Sequence, residues 1–289
     1  MLQLTTAQIE EYRAGIYHLH SSRVTTREEA IAFVNERGFV FFWPVKDVPL
    51  PSLWAAVAGD RPVPAEHDDP GHVTWGWKDE LLGRRSWYYA KVLRKRATLI
   101  ALDTTPYFYA LSQNYGDYVA DYLEEYREGR LSAEAKSIYE ALLEHGPMHT
   151  IELRKKARMI ADTAKYRFEK ALTELQTGFK VLPVGVATAG AWHYAFIYDI
   201  VARYYPDLPA EARPISRRSA QQTLIAKHLE SVGAASQAEV FRTLDVSGWT
   251  PGEFGKAVGA MIETGQIAEA RIVGYDAPHL VSKQVLNRQ

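Results

Sequence analysis

From Arg84 to Arg96 the chain carries six basic side chains and no acidic one: Arg84, Arg85, Lys91, Arg94, Lys95 and Arg96. Trp87, Tyr88 and Tyr89 lie among them, and Trp75 and Trp77 precede them. Cations beside aromatic rings suit a polyanion with bases, because phosphates attract Lys and Arg and a ring face takes an unpaired base. A second basic stretch follows. Between Glu152 and Lys170, seven cations (Arg154, Lys155, Lys156, Arg158, Lys165, Arg167, Lys170) face three acids (Glu152, Asp162, Glu169). On charge alone a solvated helix face reads the same way. The helical order around the stretch favours binding.

The segment "AEHDDPGH" (65–72) gathers Glu66, His67, Asp68, Asp69 and His72, all hard-metal or zinc ligand types. Their spacing fits no metal signature, and polar loops beside Pro-Gly are common. No metal and no cofactor are expected. Asp68, Asp69 and, further upstream, Asp47 are the weak candidates for acid–base work. Trp54, Trp75, Trp77 and Trp87 are expected to be mostly core, since each ring buries a large apolar area, with one exposed for stacking.

These residues need elements to position them. In 132–200, Ser132 caps a first helix with Ile138, Leu142 and Leu143 on one face, and Gly146-Pro147 ends it. Thr150 opens a short second helix. Asp162 caps a third, which Gly178 ends, with Phe168, Ala171, Leu172 and Leu175 at core-stripe spacing. Thr163, Tyr166, Arg167 and Lys170 then lie opposite the stripe, where a recognition helix meets a groove. Two strands around a turn at Gly190 complete a winged-helix order.

The order recurs in 216–283. A helix ends near Gly233, a short one spans Gln237–Leu244, and a third starts at Thr250, with a Thr250–Glu253 capping box and Pro251 at the first position. Its Gly252, Gly255 and Gly259 predict close backbone packing, and a structural or docking role. A looser third copy opens the chain, with a helix from Thr6 to about His20, another capped by Thr26 and Glu29 and ended by Gly38, and "FVFFW" as a strand. In the irregular middle, Ser52–Ala58 reads as a short helix, "TTPYFYALSQ" as a helix started by Pro, and "GDYVADYLEEYREG" as an exposed helix. The stretch 86–96 fits either a helix with Trp87, Lys91, Arg94 and Lys95 on one face, or a hairpin with Arg94, Lys95 and Arg96 at its tip. "YYPDLPAEARP" (204–214) reads as a linker.

The expected fold is therefore mainly α with small β-hairpins (α+β), as tandem winged-helix units around a cleft. Its units are 1–131 with an irregular aromatic and basic insertion, 132–206 and 207–289. The 289 residues accommodate two or three units. The absence of Cys excludes disulfides and thiol chemistry, and the net charge of −1 requires local patches for any polyanion contact. The N-terminus meets charge too early for a signal peptide, and no apolar run approaches membrane-spanning length, so a soluble cytoplasmic protein without membrane contact is expected.

Three stretches carry a family resemblance: "EEAIAFVNERGFVFFWPV", "WGWKDELLGRRSWYYAKVLRKRATLIALDTTPYFYAL", and the two later winged-helix segments. The chain resembles the winged-helix DNA-binding family that includes the AlkZ/YcaQ-type DNA glycosylases, and most of all its AlkZ-related branch. The resemblance implies tandem winged helices around a DNA cleft, and in the family metal-free excision of alkylated bases. Many members add a C-terminal β-barrel, for which this chain ends too early. The family's catalytic signature, Gln-x-Gln or Gln-x-Asp, follows a glycine and a strand. In "RGFVFFWPV", Gly38, Val40 and Pro44 align, and the two catalytic positions fall on Phe41 and Trp43. Neither side chain orients a water or steadies positive charge on a sugar. The resemblance thus implies a double-stranded-DNA-binding protein without the family's catalytic pair. The nucleic-acid contacts would come from Arg84, Arg85, Trp87, Lys91, Arg94, Lys95, Arg96, Arg154, Lys155, Lys156, Arg158, Lys165, Tyr166, Arg167 and Lys170. Two alternatives stay open: a DNA glycosylase working through Asp47, Asp68 or Asp69, and a winged-helix module that binds protein.

Overall fold

The computed structural model describes residues 2–20, 22–66, 68–245 and 248–286. The chain opens with β1 (Leu2–Leu4), α1 (Thr6–Ile16) and α2 (Arg27–Arg37). Thr26 and Glu29 form a reciprocal capping box at the start of α2. At its end Gly38 takes φ +79, a conformation an L side chain resists, and a Cβ there would meet Lys227 Cδ at 2.7 Å. Next come β2 (Phe39–Phe41), α3 (Leu53–Ala58), α4 (Val73–Leu82), β3 (Tyr88–Lys91) and β4 (Ala97–Ile100). Helices α5 (Thr105–Leu111) and α6 (Asp121–Arg127) close this part.

The stretch 86–96 is a hairpin, not a helix. Tyr88, Tyr89, Ala90 and Lys91 pair with Ile100, Leu99, Thr98 and Ala97, and β2 joins on the far side of β4 to give an antiparallel sheet of order β2-β4-β3. Alternation decides this. Tyr88 and Ala90 point into one core and Tyr89 into another, a period of two that a helix face could not serve.

The second part runs α7 (Ala133–His145), β5 (Met148–His149), α8 (Thr150–Lys156), α9 (Lys165–Thr177), β6 (Val181–Ala187) and β7 (Ala195–Ile200). Its sheet has the order β5-β7-β6. Asp162 does not cap α9: it begins a separate 3-10 turn over Asp162–Ala164, and α9 starts at Lys165 without a side-chain cap. After α10 (Val201–Tyr204) and α11 (Leu208–Ala212) come α12 (Arg217–Val232), β8 (Ala234–Ser236), α13 (Gln237–Leu244), α14 (Pro251–Glu263), β9 (Ile267–Ile272), β10 (His279–Ser282) and α15 (Lys283–Leu286). The result is a mixed α+β fold, mainly helical, with three small sheets among the described residues.

Four expectations need correction. First, β1 and α1 join the C-terminal part. β1 runs parallel to β9 and extends the last sheet to β1-β9-β10-β8. Helix α1 stops at Ile16 and lies on α12, where Tyr12 Oη donates to Glu230 O (2.6 Å) and Arg13 donates to Val232 O (2.9 Å) and Ala234 O (2.8 Å). The Glu230 and Val232 carbonyls, in the last turn of α12, lack intrahelical partners, and α1 supplies the donors; the Ala234 carbonyl opens β8. Second, 204–214 is no loose linker. Leu208 and Ala212 of α11 are in the main core, Tyr204 Oη donates to Leu82 O (2.8 Å) and Tyr205 Oη to Trp87 O (3.0 Å). Third, α6 is not an exposed helix, because Asp121, Tyr122 and Glu125 are buried. Fourth, the glycines of α14 are not a packing seam: a Cβ on Gly252 or Gly259 would meet nothing within 4 Å.

The largest core cluster crosses the chain's parts. It includes Phe41, Tyr88 and Leu93 from the first sheet, Phe108 from α5, Phe179, and Leu224, Val240 and Phe254 from the C-terminal part. Apolar burial of this extent locks the parts together rather than leaving separate beads. No helix among the described residues is long and apolar enough to cross a membrane.

Candidate nucleic-acid interface

The hairpin between β3 and β4 turns through Leu93–Lys95, with Arg94 and Lys95 both left-handed (φ 53 and 57). Two consecutive non-glycine residues in this region are unusual and persist only where the surroundings dictate them. The surroundings do. Buried Thr98 accepts from Leu93 N (3.1 Å) and donates to Arg96 O (2.8 Å). Outside the turn, Gln176 accepts from Lys91 N (3.0 Å), Thr177 donates to Lys91 O (3.2 Å), and Arg94 reaches Arg242 O (3.4 Å). With the backbone tied inward, the side chains of Arg94, Lys95 and Arg96 are exposed.

Two hollows flank this tip. One, of about 980 Å³, has a Phe108 and Phe179 floor; Lys95, Arg130, Tyr166 and Lys170 line it together with Glu125, Glu169 and Glu174. Lys95 from the first basic stretch and Tyr166 with Lys170 from the second therefore share one cleft. Behind it, buried Lys180 contacts Glu125 and Asn114 Oδ1, both at 2.6 Å; burial draws its pKa down against the pull of Glu125. The other hollow, of about 420 Å³, is lined by Trp43, Pro44, Val45, Lys46, Lys91, Lys95, Arg96 and Ala97.

On the second part, Lys155, Lys156, Arg158, Lys165 and Lys170 are exposed and form no ion pair among the described residues. Tyr166 is 77% exposed. The loop between β6 and β7 leans on α8, since a Cβ on Gly190 would come within 2.9 Å of Ile151 Cδ1. At its tip Trp192 is 89% exposed. Sequence reasoning missed this indole. The available signal was a Trp two residues after the turn glycine, inside a predicted wing. The same hairpin is pinned to α4 where the loop enters β7. Lys78, buried, donates to Tyr194 Oη (2.9 Å), pairs with Asp79 (2.8 Å) and lies 4.5 Å from the Phe196 ring centroid. Burial holds its pKa below the ordinary lysine range, with Asp79 opposing.

Several expected contacts have other partners. Trp87 is 1% exposed and belongs to the core beneath β3, so its ring cannot meet a base. Arg84 pairs with Glu80 (2.6 Å), and the Arg85 guanidinium covers the Tyr204 ring at 4.5 Å. Both lie at the far end of β3 from the tip. Arg154 is turned inward to the carbonyls of Met159 (3.2 Å), Ile160 (3.1 Å) and Ala161 (3.2 Å), clipping the turn after α8. Arg167 pairs with Glu134 (3.3 Å). Lys91 has a long ion pair to Glu169 (3.9 Å).

Of the carboxylates, Asp69 is held by Arg61 through two bonds (2.8 and 2.6 Å) and accepts from Gly71 N (2.7 Å). The Arg61 bond is the main reason its pKa falls below the usual range. It caps a turn and is not free to take a proton. Asp47 and Asp68 are exposed, and His67 lies outside the described residues. Among the described residues no three His, Asp or Glu side chains are grouped so as to hold a metal ion. Trp54 is fully buried and Trp75 40% exposed. Phe41 is fully buried, and Val40 and Phe42 are buried in the neighbouring cluster, so both faces of β2 are apolar. Trp43 packs on Phe42, Trp54, His72 and Trp75, with ring centroids 4.8 to 6.2 Å away.

Comparison with known proteins finds similarity both to a family model and to a solved structure. A family model described as "AlkZ related" matches residues 24–245. The solved structure of Streptomyces sahachiroi DNA glycosylase AlkZ superposes with a TM-score of 0.59 at 13% identity, covering 99% of this chain and 72% of that one. No curated protein matches the sequence.

Proposed function

The chain belongs to the AlkZ-related family, and on that premise we propose that it binds double-stranded DNA through tandem winged-helix units, without the glycosylase catalytic pair. By family and by fold it is DNA-repair-glycosylase-like. The reading takes 132–206 and 207–289 as two winged helices and 1–131 as a third, looser unit, whose β1 and α1 pack on the last one.

One observation carries the proposal. Lys155, Lys156, Arg158, Lys165 and Lys170 are all exposed, and none has an acidic partner among the described residues. A solvated face normally mixes signs. Uncompensated cations beside the exposed Tyr166 and Trp192 suit phosphates flanked by bases. Lys95 extends this surface across the cleft from the first sheet. Catalysis by the family's pair is left out of the proposal because Phe41 has no access to water and Trp43 has no acid–base group.

The test is a titration of a labelled duplex at two salt concentrations. Affinity that falls steeply with salt supports the reading, and no binding at low salt refutes it.

A further inference from the structure

We propose that the hollow walled by Trp43, Pro44, Lys46, Lys91, Lys95 and Arg96 receives the phosphorylated end of a nucleic-acid strand, with the terminal phosphate monoester among the cations and its base against Trp43. This deepens the DNA-binding reading by naming a strand end as the ligand, and it rests on that reading.

Charge is the first argument. Four of the eight residues lining the hollow are cations and none is a carboxylate. Among the described residues, Lys46, Lys95 and Arg96 form no ion pair, and Lys91 has only its long contact with Glu169. The fixed hairpin tip prevents Lys95 and Arg96 from simply spreading apart, because Thr98, Gln176 and Thr177 hold its backbone. Clustered like charges of this kind favour an anionic guest. An internal phosphodiester brings a single negative charge. A phosphate monoester brings about −1.5 to −2 at pH 7 and three strong acceptor oxygens, which matches the charge of the hollow better.

Shape and chemistry supply the second argument. A volume of about 420 Å³ is at the small end of ligand sites, the scale of one terminal nucleotide rather than a groove. The aromatic wall distinguishes a nucleotide from a bare ion. Trp43 is braced by Phe42 and Trp54 and lines the hollow beside Lys46, so a stacked base would meet a fixed ring. The same residue occupies the position where the resemblance puts the second member of the family's catalytic pair. In this chain that place holds an indole beside cations.

The test uses one hairpin duplex with a single open end, carrying a 5′-phosphate, a 3′-phosphate or only hydroxyls, beside a closed dumbbell of the same sequence. Binding is read by fluorescence anisotropy. Wild-type protein is expected to prefer one phosphorylated end over the hydroxyl end by about tenfold. That ratio, taken within each variant, should fall close to one in Lys46→Ala/Arg96→Ala and drop in Trp43→Ala, with circular dichroism verifying the fold. Equal affinity for phosphorylated and hydroxyl ends, with the dumbbell bound, overturns the strand-end site and leaves DNA binding standing. Binding of a phosphorylated end without any binding of the dumbbell supports the site and counts against the duplex reading. Failure to bind any of them overturns both.

Discussion

The Lys78 ammonium donates to the Tyr194 hydroxyl at 2.9 Å, and that hydroxyl donates in turn to Asp79 at 2.9 Å. This contact joins α4 of the first part to the end of the β6–β7 loop, just before β7, two segments more than a hundred residues apart in sequence. It fixes the direction in which the hairpin carries Trp192. Removing the ammonium leaves Asp79 and Tyr194 without their shared partner. Lys78→Ala should therefore destabilise the protein by about 1–3 kcal/mol. Tyr194→Phe should cost less, about 1 kcal/mol. Urea titrations measure both, and hydrogen exchange should accelerate in β7 for Lys78→Ala. Unchanged midpoints would show that the contact has no structural weight.

The exposed cations of α8 and the turn after it give the second prediction. Lys155→Ala/Lys156→Ala/Arg158→Ala should leave the melting temperature near wild type, because the three side chains form no ion pair among the described residues. Duplex affinity should fall. The slope of log affinity against log salt should shrink by about 0.9 for each lost phosphate contact. An identical slope would remove this segment from the interface.

Trp192 allows a cleaner separation of binding from folding. Its ring is 89% exposed, so Trp192→Ala should change stability by no more than about 0.5 kcal/mol. If the indole meets a base, the loss should be about 1–3 kcal/mol of binding, about 5- to 150-fold in affinity. The comparison of Trp192→Ala with Trp192→Phe shows whether the ring face is what matters. Equal affinity for all three proteins would make the exposed indole incidental.

These predictions draw unevenly on the sequence. Elements with strong local signals were legible: the capping boxes at Thr26 and Thr250, the stripe Phe168, Ala171, Leu172 and Leu175, and the pair of strands around Gly190. The basic stretches were visible as charge, but not the partners of each cation. Arg154 and Arg84 look identical to Lys155 and Lys95 in a sequence, and only tertiary geometry assigns the first two to carbonyls and Glu80. The same limit explains the N-terminus. Nothing local in Leu2–Ile16 shows that Arg13 will serve the end of a helix more than two hundred residues later. Trp87 failed for a simpler reason, since an indole among cations is as compatible with a buried strand edge as with stacking.

The fourth prediction concerns base excision. Restoring the family's polar pair by Phe41→Gln/Trp43→Asp should not create activity. Phe41 is fully buried, in a cluster with Leu50, Tyr88 and Phe108. The double variant loses a buried ring and gains unpaired polar groups, at a cost of at least about 3 kcal/mol. Thermal melts should show a large drop, while Phe41→Leu should retain the fold. An abasic-site assay on alkylated duplexes should detect no release by wild type. Robust release by wild type, abolished by replacing Asp47 or Asp68, would mean that this chain excises bases through other carboxylates.

The last prediction concerns acid stability and comes from His228. It is completely buried on α12, and neither ring nitrogen has a hydrogen-bond partner among the described residues. Burial is the main cause that lowers its pKa to about 3; the Arg13 charge adds to the shift and Glu239 opposes it. The sign follows from proton counting. In the unfolded chain this imidazole takes a proton below about pH 6.5, whereas in the folded protein it stays neutral until about pH 3. Between those values the unfolded state binds more protons, so the neutral histidine's stability is complete above pH 6.5 and is lost as pH falls. The loss approaches about 1.4 kcal/mol per pH unit in this window. Carboxylates with depressed pKa values, such as Glu29 and Asp69, weaken the protein in acid as well, but equally in a variant. His228→Leu fills a similar volume and removes both unpaired nitrogens. Its unfolding free energy, measured by urea titration from pH 7 to pH 4, should match or exceed wild type at pH 7. It should fall less steeply than wild type as the solution is acidified. Parallel curves for the two proteins would mean that His228 is protonated or solvated in the folded state, contrary to its burial.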